Sequence, residues 1–467
     1  MSWRWDMQRI DEEREPTSPR IWVLVALFVV IELIGVLVVV SDWPKDKPTM
    51  SSDFVFRALI VPLFAYFVVY GVVVHAWYVA PLDRVRLWNL MCQWRTYHWV
   101  NWTRNHVALV DSVVLTPEPE IAESMLGLEG AAPVNAEKVL PLELELPAGA
   151  SRVGYVLEKL LTPLLPAVTQ FSRAGVFQIV LQTAQEQDLV DLQRVMRKLK
   201  LPEYLDTSWI GAGAAAPMDS LWGDGKPLSG ARLVLACQLH DGEEEPAFTE
   251  MAVAVLLAAP NTLASAGRRI KPQASLCRAI TAESDGVEPA LEIMLGAEQV
   301  PPKRIKNFWF SRLDKRMRHA VTTAVKDASL NVSTQDIDRA LGRPGHANGW
   351  LAQALAAQMV WHGQGAQLIA SPCKAGVALN VVGPQPASAA YPTAMGPLPM
   401  SPIWAAGMAS AMFFLFLLSV ESRGAERLPM MPWWAYLLIW LLLVLLQVGI
   451  DLLHCRMVKE DFDARCF

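Results

Sequence analysis

The chain has 467 residues, 53% of them hydrophobic and 19% charged, with a net charge of −5. Its mean hydropathy of +0.26 is too high for an average soluble protein, and its charge is too high for a pure membrane bundle. No basic footprint for nucleic acid is present. The six scattered cysteines show no CxxC spacing, so they form neither a zinc site nor a disulfide framework and fit a reducing compartment.

The tail, residues 1–20, carries Arg4, Arg9, Arg14 and Arg20. Ile21 to Val40 then runs for twenty residues with one charge, Glu32. About twenty apolar helical residues cross a bilayer core of roughly 30 Å. The run is longer than a signal-peptide core and reads as an uncleaved helix. A second span, Ala58 to Val79, holds His75 near its end. Residues 21–80 thus predict a transmembrane hairpin. Lys and Arg counts place the tail, and the segment with Arg84, Arg86, Arg95 and Arg104, on the cytoplasmic side. Ionisable groups inside a membrane are costly, so Glu32 and His75 are functional candidates. The alternative is an interhelical hydrogen bond; a single acid and a single histidine make no relay.

Residues 81–106 mix basic residues with Trp88, Trp94, Trp99 and Trp102, which suits the headgroup level. Residues 107–383 alternate strand-like and helix-like runs. Predicted strands begin at Val107, Val176, Ala231, Met251, Ala290, Ile305, Gly365 and Gly376. Several are continuously apolar, as strands covered on both faces are. Helical patterns span Ser151 to Gln170, Glu186 to Leu199, Leu313 to Ala328 and Gly349 to Trp361. The expectation is a layered α/β domain. Residues 384–402 read as a flexible linker. Residues 403–450 predict a second hairpin with spans Ile403 to Val420 and Trp433 to Ile450, and residues 451–467 a tail with Arg456, Lys459 and Arg465. Four transmembrane helices would then flank one cytoplasmic domain, with both termini cytoplasmic and the lipid bilayer as a partner.

No P-loop, GxGxxG, HExxH or GxSxG occurs, so no cofactor and no metal is expected. The strongest pattern is ARLVLACQLHD followed by EPAFTEMAVAVLLAAP, then GRPGHANGWLAQALAAQMVWHGQ and SPCKAGVALNVVG. Over residues 151–383 it resembles β-ketoacyl synthases and other thiolase-like proteins. The resemblance implies a thiolase-like fold, dimerisation through a strand, and His346 at a catalytic histidine position. Two departures stand against activity. Those enzymes acylate a cysteine at a helix N-terminus in the first half of the fold, where backbone N–H groups lower the thiol pKa; residues 96–236 hold no cysteine. Their other histidine has no counterpart around Asp336-Ile337-Asp338. Cys277, beside Arg278, is the best-placed remaining thiol, and it falls in the other half.

Two hairpins around a cytoplasmic domain also resemble, in organisation only, bacterial inner-membrane proteins that accompany type VI secretion effectors as adaptors or immunity proteins. That likeness implies a protein partner, a secreted effector. The sequence thus predicts a non-catalytic membrane-anchored scaffold. The alternative is a membrane-associated condensing enzyme using His346 and Cys277 on acyl-thioesters. A transporter is the weakest reading, because no inverted repeat is visible.

Overall fold

The computed structural model describes residues 3–466 except 8–9, 46–47, 50, 129, 131, 203, 214–216, 223–227, 241–245, 268–269, 393–409 and 411–431. The chain divides into two units, residues 1–7 with 99–389 and residues 8–98 with 390–467.

The larger unit is built on eleven strands. β1 (His106–Leu115), β2 (Phe177–Thr183), β3 (Asp206–Gly211), β4 (Ala231–Gln238) and β5 (Met251–Ala258) form one half. β6 (Ala274–Cys277), β7 (Ile280–Ala282), β8 (Ile305–Phe310), β9 (Ser333–Asp336), β10 (Ala366–Cys373) and β11 (Gly376–Gly383) form the other. The order across the sheet is β3-β2-β4-β5-β1-β6-β11-β10-β8-β9, with β7 also on β11. β4 and β5 form an antiparallel hairpin in register from Ala231↔Ala258 to Gln238↔Met251.

The two halves repeat one topology. β3, β2 and β4 run parallel, and β4 turns back into antiparallel β5. β9, β8 and β10 run parallel, and β10 turns back into antiparallel β11. The halves join where β1 and β6 pair antiparallel, from His106↔Cys277 to Leu109↔Ala274.

Helices separate the halves and cover their outer faces. They are α5 (Ile121–Met125), α6 (Arg152–Ala174), α7 (Asp188–Lys198), α8 (Pro217–Trp222), α9 (Pro260–Ala266), α10 (Val287–Gly296), α11 (Lys315–Asp327), α12 (Ile337–Leu341) and α13 (Asn348–Trp361). Alternate residues of a strand face opposite sides, and β5 shows the consequence. Ala252, Ala254, Leu256 and Ala258 join the core built on α6, while Val253, Val255 and Leu257 join the core around α13. That second core also takes Trp309, Ile369, Ala378 and Val382 from the other half. α13 is therefore the middle layer of a five-layer stack, and α10 and α11 cover the far face. A helix packed on all sides must be apolar all round, and eleven of its fourteen residues are buried.

The sequence places a strand at Ala290 to Gly296; the structure has α10 there. Its buried residues, Val287, Ala290, Leu291 and Met294, follow a helical period, and Pro289 sits in the first turn, where a missing N–H costs nothing.

In the smaller unit α1 spans Ile21–Ser41 and has no buried residue. A nearly continuous helical stretch follows: α2 (Ser52–Val55), a π-helical turn (Phe56–Ile60), α3 (Val61–Val74), a second π-helical turn (His75–Val79) and α4 (Ala80–Thr103), which belongs to this unit up to His98. It starts earlier than the sequence suggests because the Ser51 hydroxyl caps it, accepting from the Phe54 N–H at 3.3 Å. α1 packs on α3 through Phe28 and Tyr66, with ring centres 5.2 Å apart. Gly35 meets the Pro62 ring so closely that an added Cβ would collide with it, the close approach that a small residue permits between packed helices.

Among the described residues two helices, Ile21–Ser41 and Ser52–Gly71, are long and apolar enough to cross a membrane. The expected span Ile403 to Val420 lies outside the described residues. The expected span from Trp433 and the tail after it form one helix, α14 (Trp433–Cys466).

Candidate functional site

The polar centre of the larger unit lies at the N-terminus of α13, beside the carboxyl ends of β2, β4 and β8, the place where open α/β sheets bind ligands. Here the middle helix begins among buried polar groups. The Ala347 N–H donates to Gln238 Oε1 at 2.8 Å, and the Gly345 N–H to Asn348 Oδ1 at 2.9 Å. Gln238 Nε2 donates to the Thr249 carbonyl at 2.6 Å. Asn348 Nδ2 donates to Ser311 Oγ at 3.2 Å, and Ser311 Oγ donates to Asp338 Oδ1 at 2.5 Å. Burial raises the Asp338 carboxyl above its usual range, against the opposing hydrogen bonds from Ser311 and the Arg312 N–H. The centre thereby satisfies the N–H groups of Gly345 and Ala347, the residues that lead into α13.

His346 sits in this centre, 9% exposed. Its Nε2 lies 3.0 Å from the Cys237 carbonyl, a main-chain acceptor, so that nitrogen carries the proton. The Gln182 carbonyl also holds the ring, and burial lowers the histidine pKa below its usual value. The ring packs edge-on against Phe248 at 6.3 Å. His346 is thus engaged by backbone.

Cys277 is elsewhere. It ends β6, which β5 and β1 separate from β4. Three strand spacings of about 4.8 Å lie between the two strands. Cys277 is fully buried, and burial alone pushes its thiol up to about 12. Its basic neighbour Arg278 does not activate it: the guanidinium lies over the Trp102 and Trp222 rings. Cys237 is buried and its pKa is raised as well, and Cys373 is half-buried and raised. The structure therefore does not bring Cys277 and His346 together.

The internal repeat pairs α13 with a second helix. α13 precedes β10, and its counterpart before β4 is α8. The two helices meet at their N-termini, where a Cβ on Gly349 would fall 2.8 Å from Pro217 Cδ. α8 is six residues long, Pro-Met-Asp-Ser-Leu-Trp, and begins with buried Pro217. Proline has no N–H to direct at a thiolate or an oxyanion.

A second buried polar cluster escaped the sequence reading. Glu250, wholly buried, accepts from Arg152 Nη2 and the Leu142 N–H, each at 2.6 Å, and from the His240 N–H at 2.7 Å. It ties the crossover before α6 to the β4–β5 turn. No group of three metal-ligating side chains occurs among the described residues.

Of the remaining candidates Glu32, His75, Trp88 and Trp94 belong to the smaller unit, and Trp99 and Trp102 to the larger. Glu32 lies in α1, and its Oε2 is buried without a partner among the described residues. His75 opens the second π-helical turn; its side chain lies outside the described residues. The tryptophans expected at the headgroup level contact protein. Trp88 is buried against Phe462, at 5.1 Å between ring centres, and Trp94 packs on Tyr391 and His98. Trp99 Nε1 donates to the Arg4 carbonyl at 3.1 Å, and Trp102 packs edge-on to Trp5 at 5.6 Å.

No protein-family model and no curated protein matches the chain. Among solved structures it is similar to an oxazolomycin ketosynthase domain from Streptomyces albus, with 11% identity over 61% of this chain and 97% of that one and a TM-score of 0.41. It is also similar to 3-oxoacyl-[acyl-carrier-protein] synthase III from Aquifex aeolicus, with 13% identity, 59% and 99% coverage and a TM-score of 0.36. A β-ketoacyl synthase from Burkholderia phymatum gives 10%, 60% and 98%, and 0.41.

Proposed function

We propose that this is a membrane-anchored, non-catalytic binding scaffold on a degenerate thiolase-like frame. The observation that carries the reading is the start of α8. At the position that the internal repeat pairs with the start of α13, α8 begins with buried Pro217, which has no N–H, and carries no cysteine. The state of the remaining groups agrees. The thiols of the larger unit are raised in pKa by burial, and the His346 ring is held by carbonyls.

In this reading the apolar helices anchor the chain in a bacterial inner membrane in several passes, with the α/β domain and both termini cytoplasmic. The domain presents its surface to a protein partner, a secreted effector by the likeness of organisation, and pairs with a second copy. The test is the full-length protein in detergent treated with a cysteine-directed condensing-enzyme inhibitor. We expect no adduct on Cys237 or Cys277 until the protein is denatured. A stoichiometric adduct on either thiol in the folded protein would replace this reading with the condensing enzyme.

A further inference from the structure

Arg278 sits at the junction of β6 and β7, only 5% exposed. Its guanidinium carbon lies 4.4 Å from the centre of the Trp102 ring and 4.7 Å from that of Trp222. The cation therefore lies over two indole π-systems, and this offsets part of its desolvation. No ion pair to Arg278 occurs among the described residues. Two donors in this cluster, Arg278 Nε and Trp222 Nε1, are buried without a partner among the described residues. A buried charge is costly unless it is paired, and a buried donor without an acceptor needs an occupant to explain it. Burial alone lowers the arginine pKa to about 10.

The surroundings are held in place by contacts independent of any ligand. The Arg278 N–H donates to the Asn105 carbonyl at 2.9 Å. Gln299 Nε2 donates to the Arg278 and Thr103 carbonyls at 2.8 and 2.7 Å. Trp5 backs Trp102, and its own Nε1 donates to the Ala279 carbonyl at 3.0 Å.

We propose that the edge of Arg278, with the Trp222 indole N–H beside it, is a receptor for a carboxylate. The guanidinium N–H groups lie in its plane and match a carboxylate in a fork. The indole faces are electronegative, so they disfavour oxygens on the ring side of that plane and favour a planar acceptor over a tetrahedral phosphate.

The experiment uses the full-length protein in detergent. Sodium acetate, sodium phosphate and sodium chloride are titrated at matched ionic strength, with tryptophan fluorescence and calorimetry as readouts. Acetate should give a saturable response that chloride does not. Arg278→Gln should abolish it, Arg278→Lys should weaken it at least tenfold because the fork is lost, and Arg343→Gln should leave it unchanged. Trp222→Phe keeps the packing and loses one donor, so it should weaken binding several-fold; it decides the matter if the arginine variants do not fold. No saturation with acetate, a response that persists in Arg278→Gln, equal binding by the wild type and Trp222→Phe, or tighter binding of phosphate than of acetate would overturn the proposal.

Discussion

Truncating His346 to alanine separates a catalytic histidine from a structural one. The substitution removes the donor to the Cys237 carbonyl, 3.0 Å away. A buried polar group left without its partner costs about 1–3 kcal/mol. The site is 9% exposed, so the lost ring also leaves a cavity beside Phe248, and large-to-small core changes cost about 2–5 kcal/mol. A ring that is polar and partly wet belongs at the low end of that range, which gives about 2–4 kcal/mol for His346→Ala. In a domain of this size 1 kcal/mol moves Tm by about 2–4 °C, so the variant should melt roughly 4–16 °C below the wild type. The pH dependence carries a sign. Burial lowers the folded-state pKa of His346, while the unfolded histidine titrates near about 6.5. Below that value the unfolded state binds more protons, so His346 destabilises the fold as pH falls from about 6.5 towards the folded-state pKa. The stability gap between wild type and His346→Ala should therefore be flat above about pH 7.5 and narrow towards pH 5. Denaturant melts of the full chain in detergent at the two pH values measure it. A gap under about 0.5 kcal/mol, or one that widens in acid, would refute the structural role.

Cys277, its thiol pushed up to about 12, should react with iodoacetamide at pH 8 at least a hundredfold more slowly than exposed Cys455; comparable rates, followed by peptide mass spectrometry, would contradict the burial. Glu250→Ala leaves Arg152, the Leu142 N–H and the His240 N–H without their acceptor, and should cost about 3–5 kcal/mol in the same denaturant melts; a loss under about 1 kcal/mol would show that the cluster is relaxed in solution. Reporter fusions at Ser388 and Phe467 should both read cytoplasmic, from the Lys and Arg distribution, and an external reading at Ser388 would invert the topology.

Much of the sheet was legible because its central strands are continuously apolar. The runs at Ala231 and Met251 match β4 and β5, and Ile305 to Phe310 is β8. Edge strands were not legible. β3, DTSWIG, and β9, STQD, are short and partly exposed, so no hydrophobic period marks them, and their place comes from pairing with β2 and β8. α10 was misread because its apolar run is short enough to fit either period. The sequence singled out His346, yet its neighbours were hidden: Gln182, Gln238 and Ser311 lie far from it in the chain and meet it only through the stacking of two half-sheets on α13. Glu250 lies in the run EPAFTEMAVAVLLAAP, directly before β5. Its partner Arg152 is 98 residues away, a pairing that no local pattern shows. The unpaired state of Arg278 is likewise a property of packing.

The most direct test of the central claim is a single-turnover reaction of the full-length protein with a radiolabelled acyl-thioester, followed by intact-mass and peptide analysis. The start of α8 at Pro217 and the raised thiols predict no acyl adduct on any residue of the larger unit and no thioester cleavage above the rate of the thioester in buffer. One equivalent of acyl group on a cysteine or serine of that unit, lost in His346→Ala while the variant remains folded, would contradict the account.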